Sequence, residues 1–560
     1  MPKKLLILWF VFSVVLALPM YGLSADDVTR TEIRGLKDHA VESSVDTAED
    51  GRKVANRKEA ILPALKGVVI SKSAQSALAL QAKNPRGLLI DGFDERTKSA
   101  INRIVPGFLG EPVSLESLEF LRKKIESAAQ PASGEMLKAI FPPQEITSGI
   151  LAVRLAPARY GKVMMTESSF GNKFVARGMR AQKGAPIDKS RIIEDVEWIN
   201  ENPLRNASIS MVEGEVDDLV DLLLRVRSPK PWKLYAGVDN QLGDSLGDER
   251  AYLLYQYGDL WKLDHRLTGQ YTTALESGRL QAVSFVYEIP WMIRQITEIS
   301  SGYSQSEAES DGPLDQSGKF SRVGVTHRIP LGHWHSVLHE CRFGAELRTN
   351  NYLFSDGSDS AVQFFQIETG WKGRRSDRFG MTRVDFSLSY SPGNGALGSS
   401  DEDFIELGGS GAEALIAKTE LRRTLKLGKH LNLSGRLQAQ WTESDLLASD
   451  QIHAGGYNLV RGFDESVGYG SKGLVGGIEL QTRPYRFFDM GKILALTFID
   501  GASLSRDQVS DEGQLLSGGI GFRWQLDGNT SARFDVALPL DYPESEDGNA
   551  MIHFGVAKAW

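Results

Sequence analysis

The sequence contains almost no cysteine and lacks the common nucleotide and protease motifs. Of its 560 residues only Cys341 is a cysteine, so no intrachain disulfide can form. The same shortage excludes metal and iron–sulfur sites that need several thiolates. The formal net charge of −8 argues against a nucleic-acid-binding protein. The phosphate-binding pattern GxxxxGKS/T and the zinc-protease pattern HExxH do not occur.

Three local patterns that could carry chemistry lie in the wrong context. Residues 243–247 match GxSxG but join two predicted strands, whereas a nucleophile elbow joins a strand to a helix. Residues 468–473 match GxGxxG with no helix to follow. His333 and His335 have strand spacing and could grip a transition metal, but they follow a predicted short turn where histidines are usually exposed. We therefore expect no catalytic residue, no cofactor, no metal site and no enzymatic activity.

Long apolar runs are also missing. The run at residues 5–18 is fourteen residues long, short of the ~20 that span a bilayer as a helix. Lys3 and Lys4 precede it, and Pro19 and small residues up to Ala25 follow it. This layout predicts a signal peptide, residues 1–25, that is removed after Ala25; an N-terminal anchor helix is the alternative. An exported protein without a spanning helix can enter a membrane only as a β-barrel.

The next segment, residues 26–60, is charged and poor in large apolar side chains. It is predicted to be either a disordered linker or a short helix that plugs a pore.

A repeated α+β pattern occupies residues 61 to 228. Ser114 and Asp188, seventy-four positions apart, each follow a Gly-x-Pro-apolar sequence and can each cap a helix. The apolar residue before each cap can pack on the fourth helical position, as Val113 can on Leu118. Two copies of one small unit are therefore predicted.

Short β-type runs follow each helix. The run from Ile150 ends the first unit or begins the second, and residues 222–226 close the second. Exposed edges of such modules can bind an extended peptide as an added strand. We expect Gln144, Ile150 and Val153 to lie at the module edges and to contact an unfolded client.

Beyond Trp232 the pattern changes to strict alternation. In the last ten residues Ile552, Phe554 and Val556 alternate with His553 and Gly555. A soluble sandwich turns its apolar face inward, whereas a membrane barrel turns it to lipid and tolerates charge in the lumen. Aromatic residues near predicted strand ends are typical of interfacial girdles: Trp232, Tyr235, Trp261, Trp291, Tyr390 and Trp560.

Sixteen strands are predicted, an even number as expected for a single-chain bacterial barrel. They are 232–241, 249–260, 264–275, 280–291, 294–306, 317–331, 335–354, 361–375, 378–392, 413–427, 431–444, 471–485, 492–505, 515–526, 530–540 and 550–560. The longest connection, 445–470, is predicted to fold into the lumen. It presents Arg461 between glycines that permit a tight turn, and an arginine in a polar cavity needs a carboxylate.

A carboxylate is available on the thirteenth predicted strand. If Ile493 and Ile499 face lipid, a period of two places Asp500 in the lumen. The same parity also turns the apolar residues Leu494 and Leu496 inward, which weakens the placement of Asp500 in the lumen. A solvated lumen aspartate is the alternative.

Several motifs, in order, resemble the two-partner secretion transporters, the haemolysin secretion/activation protein family. Residues 141–151 resemble the proline–glutamine junction between its two periplasmic POTRA modules. Residues 108–114, 198–203, 231–232 and 239–240 follow in the order that this family uses. Residues 460–463 are similar to its signature on the inward loop between strands 11 and 12, and residues 498–502 resemble its wall motif on strand 13.

The resemblance implies an outer-membrane β-barrel of sixteen antiparallel strands, residues 230–560, behind two α+β POTRA modules, residues 61–145 and 146–229. Such a protein passes an unfolded exoprotein partner to the cell surface without ATP. The resemblance also implies a pair between Arg461 and Asp500. The remaining motif residues are Val460, Gly462 and Phe463 on the loop and Phe498 and Gly501 on the wall. Gly501 follows Asp500 directly, whereas the family usually leaves one residue between.

Two other functions stay open at this point. An assembly factor that inserts barrels into the outer membrane would share the loop and the modules, but two modules favour export. A passive diffusion porin would leave the modules unexplained. In each case we expect a monomeric barrel in contact with outer-membrane lipid and no nucleic acid.

Overall fold

The computed structural model describes residues 60–560 apart from 167–169, 217, 243–245, 277–278, 309–315, 355–358, 394–397, 408, 466, 489, 507–508 and 543–547. The predicted signal peptide and residues 26–59 of the predicted linker or plug lie outside the described residues. The chain divides into two compact units, one with the α+β modules and one with a β-barrel. Within the described part of the chain, no helix has the length and apolar character to cross a membrane.

The first module is a four-stranded sheet covered by helices. Its sheet has the order β3-β2-β6-β5, with β2 parallel to both neighbours. Helix α3 begins after Ser114, whose hydroxyl and backbone exchange hydrogen bonds with Ser117. The helix buries Leu121 and Ile125 against the sheet. The elements are β1 Ala60–Leu62, β2 Gly67–Ser71, α1 Ala74–Gln81, β3 Gly87–Ile90, α2 Glu95–Asn102, a 3₁₀ helix Val105–Phe108, β4 Val113–Ser114, α3 Leu115–Ser133, β5 Leu137–Ile140 and β6 Ile150–Pro157.

The second module repeats this core in a smaller form. Its sheet has the order β7-β9-β8, and Asp188 caps its second helix by accepting from the Arg191 N–H. The strands β7, β8 and β9 correspond in order and pairing to β2, β5 and β6, so the predicted duplication of one unit is confirmed. The elements are β7 Arg159–Thr166, α4 Asn172–Gly178, α5 Lys189–Ile199, β8 Asn206–Glu213 and β9 Leu219–Arg227.

Two expectations about the modules were wrong. The boundary between residues 145 and 146 falls too early, because β6 pairs with β2 and β5 and completes the first sheet. Ile150 and Val153 lie on this central strand and are 1% and 0% exposed, so neither can serve an edge that binds a client. The Gln144 side chain accepts from the Ala152 N–H at 2.6 Å and donates to the Ala152 carbonyl at 2.7 Å, which is a structural role.

The second unit is a closed antiparallel barrel of sixteen strands, as predicted. Strand ends agree with the prediction to within three residues, except that β26 begins six residues earlier. The strands are β10 Trp232–Asp239, β11 Arg250–Leu260, β12 His265–Ala274, β13 Leu280–Pro290, β14 Ile296–Ala308, β15 Gln316–Trp334, β16 Val337–Phe354, β17 Asp359–Asp377, β18 Gly380–Ser391, β19 Ala414–Leu427, β20 Leu431–Thr442, β23 Lys472–Thr482, β25 Lys492–Arg506, β26 Val509–Gln525, β27 Thr530–Asp541 and β28 Met551–Ala559.

Other short elements lie in the connections. Strands β21 Ile452–Ala454 and β22 Gly468–Gly470 pair with each other between β20 and β23. Strand β24 Tyr485–Arg486 pairs with the start of β25, and helix α6 Asp401–Glu406 lies between β18 and β19.

Alternation along the strands puts apolar side chains outside and polar ones inside. Ile499 is 58% exposed, whereas its neighbours Phe498 and Asp500 are 2% and 1% exposed. Trp261 and Trp291 are exposed at hairpin ends, which fits an interfacial girdle. Tyr235 was wrongly assigned to that girdle, because it is buried on the inward face.

Candidate functional site

The connection between β20 and β23 returns into the barrel lumen. Strands β21 and β22 form its stem, and residues 456–463 form its tip. The tip is a tight turn in which the Gly456 N–H donates to the Phe463 carbonyl at 2.9 Å. Gly455, Gly456 and Gly462 have φ values of 103°, 75° and 91°, which side chains with a Cβ rarely adopt. The glycines therefore set the backbone path that presents Arg461.

Val460 and Phe463 fix the tip by apolar packing. They are 0% and 1% exposed and pack against Val475, Leu504 and Leu515 of the barrel wall. Burial of two large side chains stabilises the docked tip by several kcal/mol, at roughly 1.5–3 kcal/mol for each. The motif residues on either side of Arg461 thus hold the turn, while the arginine reaches the wall.

Arg461 and Asp500 are brought together by the structure. Nε of Arg461 donates to Asp500 Oδ2 at 2.7 Å, and Nη2 donates to Oδ1 at 3.2 Å. The third guanidinium nitrogen, Nη1, donates to Glu479 Oε2 at 2.9 Å. The Arg461 and Asp500 side chains are 6% and 1% exposed. A solvated lumen aspartate is thereby excluded, and the planar fork fixes the arginine in orientation as well as position.

Phe498 supports the guanidinium from one face. The Arg461 Cζ lies 3.3 Å from the centroid of the Phe498 ring, which allows a cation–π interaction. Gly519 pairs with Phe498 across β25 and β26. A Cβ at Gly519 would lie 2.5 Å from Cζ of the Phe498 ring, so this glycine makes room for the ring.

The space for Asp500 comes from a glycine that sequence reasoning missed. Gly477 on β23 pairs with Asp500, and a Cβ there would lie 2.1 Å from Asp500 Oδ1. Gly501 belongs to the opposite face by alternation, so the unusual Asp500-Gly501 spacing does not displace the carboxylate. Leu494 and Leu496, whose inward parity was a difficulty, pack in the lumen with Phe498 and Ala537.

Further contacts surround the tip on several strands. Arg436 of β20 donates to the carbonyls of Asn458 and Leu459. The Gly462 N–H donates to Nε2 of His553 at 3.1 Å. Tyr457 packs under Arg533, whose Cζ lies 4.0 Å from the ring centroid. These partners lie on three separate strands, β20, β27 and β28, on luminal faces where charged residues are common, so no local pattern marks them.

The histidines weighed as metal ligands lie elsewhere. His333 lies near the end of β15 and His335 in the turn between β15 and β16. The nearby His339 accepts at Nδ1 from the Trp371 Nε1–H at 3.2 Å. Among the described residues, no three His, Cys, Asp or Glu side chains are grouped so that they could hold a metal ion.

The site holds a loop in place. An arginine fork, a ring stack and an apolar contact all converge on residues 456–463. Breaking the buried ion pair from one side would cost about 3–5 kcal/mol. Such an attachment suits a segment that must stay in the lumen until something displaces it.

Docking of the tip should depend on pH through Glu465. Its carboxyl packs against Gly456, and burial raises its pKa from 4.5 to about 7. The docked loop therefore holds a proton that the released loop gives up, so docking is favoured below pH 4.5 and weakens as pH rises through 7. Burial lowers the pKa of His453 from 6.5 to about 4, which acts in the opposite sense but only below pH 6.5.

We accordingly expect the amides of residues 456–463 to exchange hydrogen faster at pH 8 than at pH 6.5, after correction for the intrinsic rate. Glu465→Gln should abolish this difference, while Glu443→Gln, at an exposed glutamate of the same connection, should preserve it. Equal protection at both pH values in the unmodified protein would contradict the assignment.

Comparisons with known proteins agree with this architecture. The family described as haemolysin secretion/activation protein ShlB/FhaC/HecB matches residues 219–524. Heme/hemopexin transporter protein HuxB of Haemophilus influenzae is 23% identical over 474 residues, which cover 78% of this chain and 80% of that protein. With HuxB of strain KW20 Rd, the match is 28% identical over 192 residues and spans only about a third of each chain, 33% of this one and 34% of the other.

Two solved structures share the fold. CdiB from Escherichia coli gives a TM-score of 0.68 at 15% identity and covers 95% of this chain and 98% of its own. BamA from Haemophilus ducreyi lacking POTRA domains 1–3 gives a TM-score of 0.52 at 13% identity and covers 84% and 98%.

Proposed function

Since the chain belongs to the haemolysin secretion/activation family of two-partner secretion outer-membrane transporters, we propose that it exports a secreted partner protein through its barrel. The client crosses in extended form and without ATP, and no enzymatic step is involved. The protein resides in the outer membrane with its N-terminal modules in the periplasm. The barrel acts as a monomer in contact with lipid.

The observation that carries this proposal is the docking of the inward loop. Arg461 is held by two carboxylates and a ring inside a lumen lined by ion pairs. A docked loop closes the path to small solutes, and its displacement opens a path wide enough for an extended chain. Folding of the client outside the cell supplies the direction of transport.

Deleting the gene in its own bacterium tests the proposal. Export predicts that one large secreted protein disappears from the cell surface or the medium, while the amounts of other outer-membrane barrels stay constant. A general fall in those barrels would instead support the assembly function, for which the BamA likeness supplies only a shared fold. Loss of small-solute uptake alone would support a porin.

Client capture is assigned to the free edge of β7. Its first two residues, Arg159 and Tyr160, also bond to residues 184–186, but among the described elements the rest of the strand pairs with β9 alone. Val163, Met164 and Met165 in that rest are 40%, 39% and 36% exposed. An apolar edge with unpaired backbone groups is suited to accept a further strand. Edge lysines prevent such pairing in natural sheets.

Replacing Val163 and Met165 by lysine should therefore lower export by about tenfold, with the barrel amount unchanged, as measured by secreted client per cell. Ile193→Lys is the matched control, since Ile193 is an exposed apolar residue on helix α5 of the same module. If the control reduces export as strongly as the double substitution, the edge assignment is wrong.

A further inference from the structure

The inward loop has a second polar attachment near its other end. Asp450 Oδ1 accepts from Arg348 Nη1 at 2.5 Å, and the two side chains are 8% and 14% exposed. Arg348 belongs to β16, the seventh barrel strand, whereas Asp500 belongs to β25, the thirteenth. Asp450 precedes the stem strand β21, so this attachment is separate from the tip.

Neighbouring groups show that this is a built contact. Asn350 Nδ2 donates to Ser449 Oγ at 3.2 Å, and Asn350 lies two positions after Arg348, on the same luminal face. Gln440 Nε2 donates to the Asp450 carbonyl at 2.8 Å. Ser449 and Asp450 are thus held by two side chains on the same face of β16, Arg348 and Asn350, and by Gln440 of β20.

Apolar packing adds to the attachment. Leu447 is buried with Val362 and Phe364 of β17, and Leu446 is buried with Ile416 of β19. We call residues 446–451 the root of the loop. The root rests on the seventh to eleventh strands and the tip on the eleventh to sixteenth, so the loop crosses the lumen between two parts of the wall.

We propose that the Asp450–Arg348 pair is a second lock, which holds the root of the loop across the pore independently of Arg461. This inference rests on the proposed function in one respect, namely that the loop must move for a client to pass. Asp450 and Arg348 are positioning residues, since they hold the loop and need not touch the client.

The two locks differ in what remains after release. When Asp450 leaves, Arg348 keeps Glu346 and Gln366 as partners on the wall, so no buried arginine is left without a carboxylate. When Arg461 leaves, Asp500 keeps only the longer contact with Arg436, at 3.4 Å, among the ion pairs of the described residues. An uncompensated buried charge is costly. Release of the root therefore leaves the wall arginine compensated, whereas release of the tip leaves Asp500 with one weak partner.

Conductance of the purified full-length protein in planar bilayers tests the second lock without any client. The high-conductance state is the one in which the loop no longer lies across the pore. Asp450→Asn and Arg348→Gln should each raise its occupancy by about tenfold, as expected for the loss of one hydrogen bond between charged groups. Arg342→Gln is the matched control. It removes the same charge from the same face of β16, where Arg342 pairs with Glu368 and Asp385 of the wall, and it should behave as the unmodified protein.

A cross-link keeps the test decisive if those variants fold poorly. Ser449→Cys with Asn350→Cys, in a Cys341→Ser background, should form a disulfide that holds the root down and lowers the high-conductance occupancy until it is reduced. Asp450→Arg combined with Arg348→Asp should return the conductance towards that of the unmodified protein.

Two results would overturn the second lock. One is a high-conductance occupancy in Asp450→Asn that merely equals that in Arg342→Gln. The other is an oxidised cross-link that leaves the conductance unchanged. Changed conductance in a protein whose gene deletion affects no secreted protein would instead overturn the proposed function and leave the lock standing.

Discussion

Arg461→Glu is expected to reduce export by more than tenfold while the barrel still folds and inserts. The substitution places a carboxylate beside Asp500 and Glu479, which now accept from Arg461 at 2.7 and 2.9 Å. At an effective dielectric constant of about 20, two like charges roughly 3 Å apart repel by about 5 kcal/mol. This repulsion exceeds the energy that stacking on one aromatic ring can offset, so the tip must detach from the barrel wall. The backbone hydrogen bonds between the sixteen strands do not involve this side chain. The folded barrel should therefore still migrate differently in gels from the heat-unfolded protein.

Arg342→Glu provides the matched control, because Arg342 on β16 likewise lies between two carboxylates, Glu368 and Asp385, which both belong to the barrel wall. It should export at nearly the normal rate. The exchanged pair, Arg461→Asp with Asp500→Arg, should recover part of the export, since Glu479 can still face the relocated arginine. Normal client export by Arg461→Glu would refute the role of this contact.

Much of the barrel could be predicted from sequence because alternation is a local signal. Lipid contact demands an apolar residue at every second position, and Ile552, Phe554 and Val556 satisfy that demand on β28. Helix starts at Ser114 and Asp188 were equally local, since one side chain caps the turn that follows it.

The boundary between the two modules is not marked by a local signal of this kind. Strand β6 is buried along nearly its whole length and shows no alternation, so its sequence does not distinguish an edge from a central strand. Only the pairing with β2 and β5 assigns it to the first sheet. The prediction that Ile150 and Val153 lie on an edge failed for that reason.

The surroundings of Arg461 required the register of the barrel. Glu479 and Gly477 reach the site because β23 pairs Gly477 with Asp500 and Glu479 with Phe498. A slip of one residue would turn both to the lipid face. His553 of the last strand and Tyr457 of the loop tip meet only in the folded barrel, where their ring centroids lie 6.1 Å apart. Parity along β25 remained ambiguous in the sequence, since Leu494 and Leu496 fill the lumen beside Phe498.

Gly477→Val tests the importance of that register by changing the barrel wall instead of the loop. A Cβ at this position would lie 2.1 Å from Asp500 Oδ1, so the Asp500 carboxylate must move and lose the Arg461 fork. Overpacking of this kind costs about 1–3 kcal/mol in addition to the lost contact. We expect export to fall by about tenfold and the barrel to unfold at a lower temperature in detergent.

Gly435→Val separates this effect from a general intolerance of the barrel to valine. Gly435 pairs with Ile478, which is 61% exposed on the lipid side, and a Cβ at Gly435 would meet no atom within 4 Å. Valine favours strands and lipid, so this control should be neutral or slightly stabilising. Because Gly477→Val and Arg461→Glu disrupt one contact, their combination should impair export little more than the worse single change. Additive losses would mean that Gly477 acts on the barrel and not through Asp500.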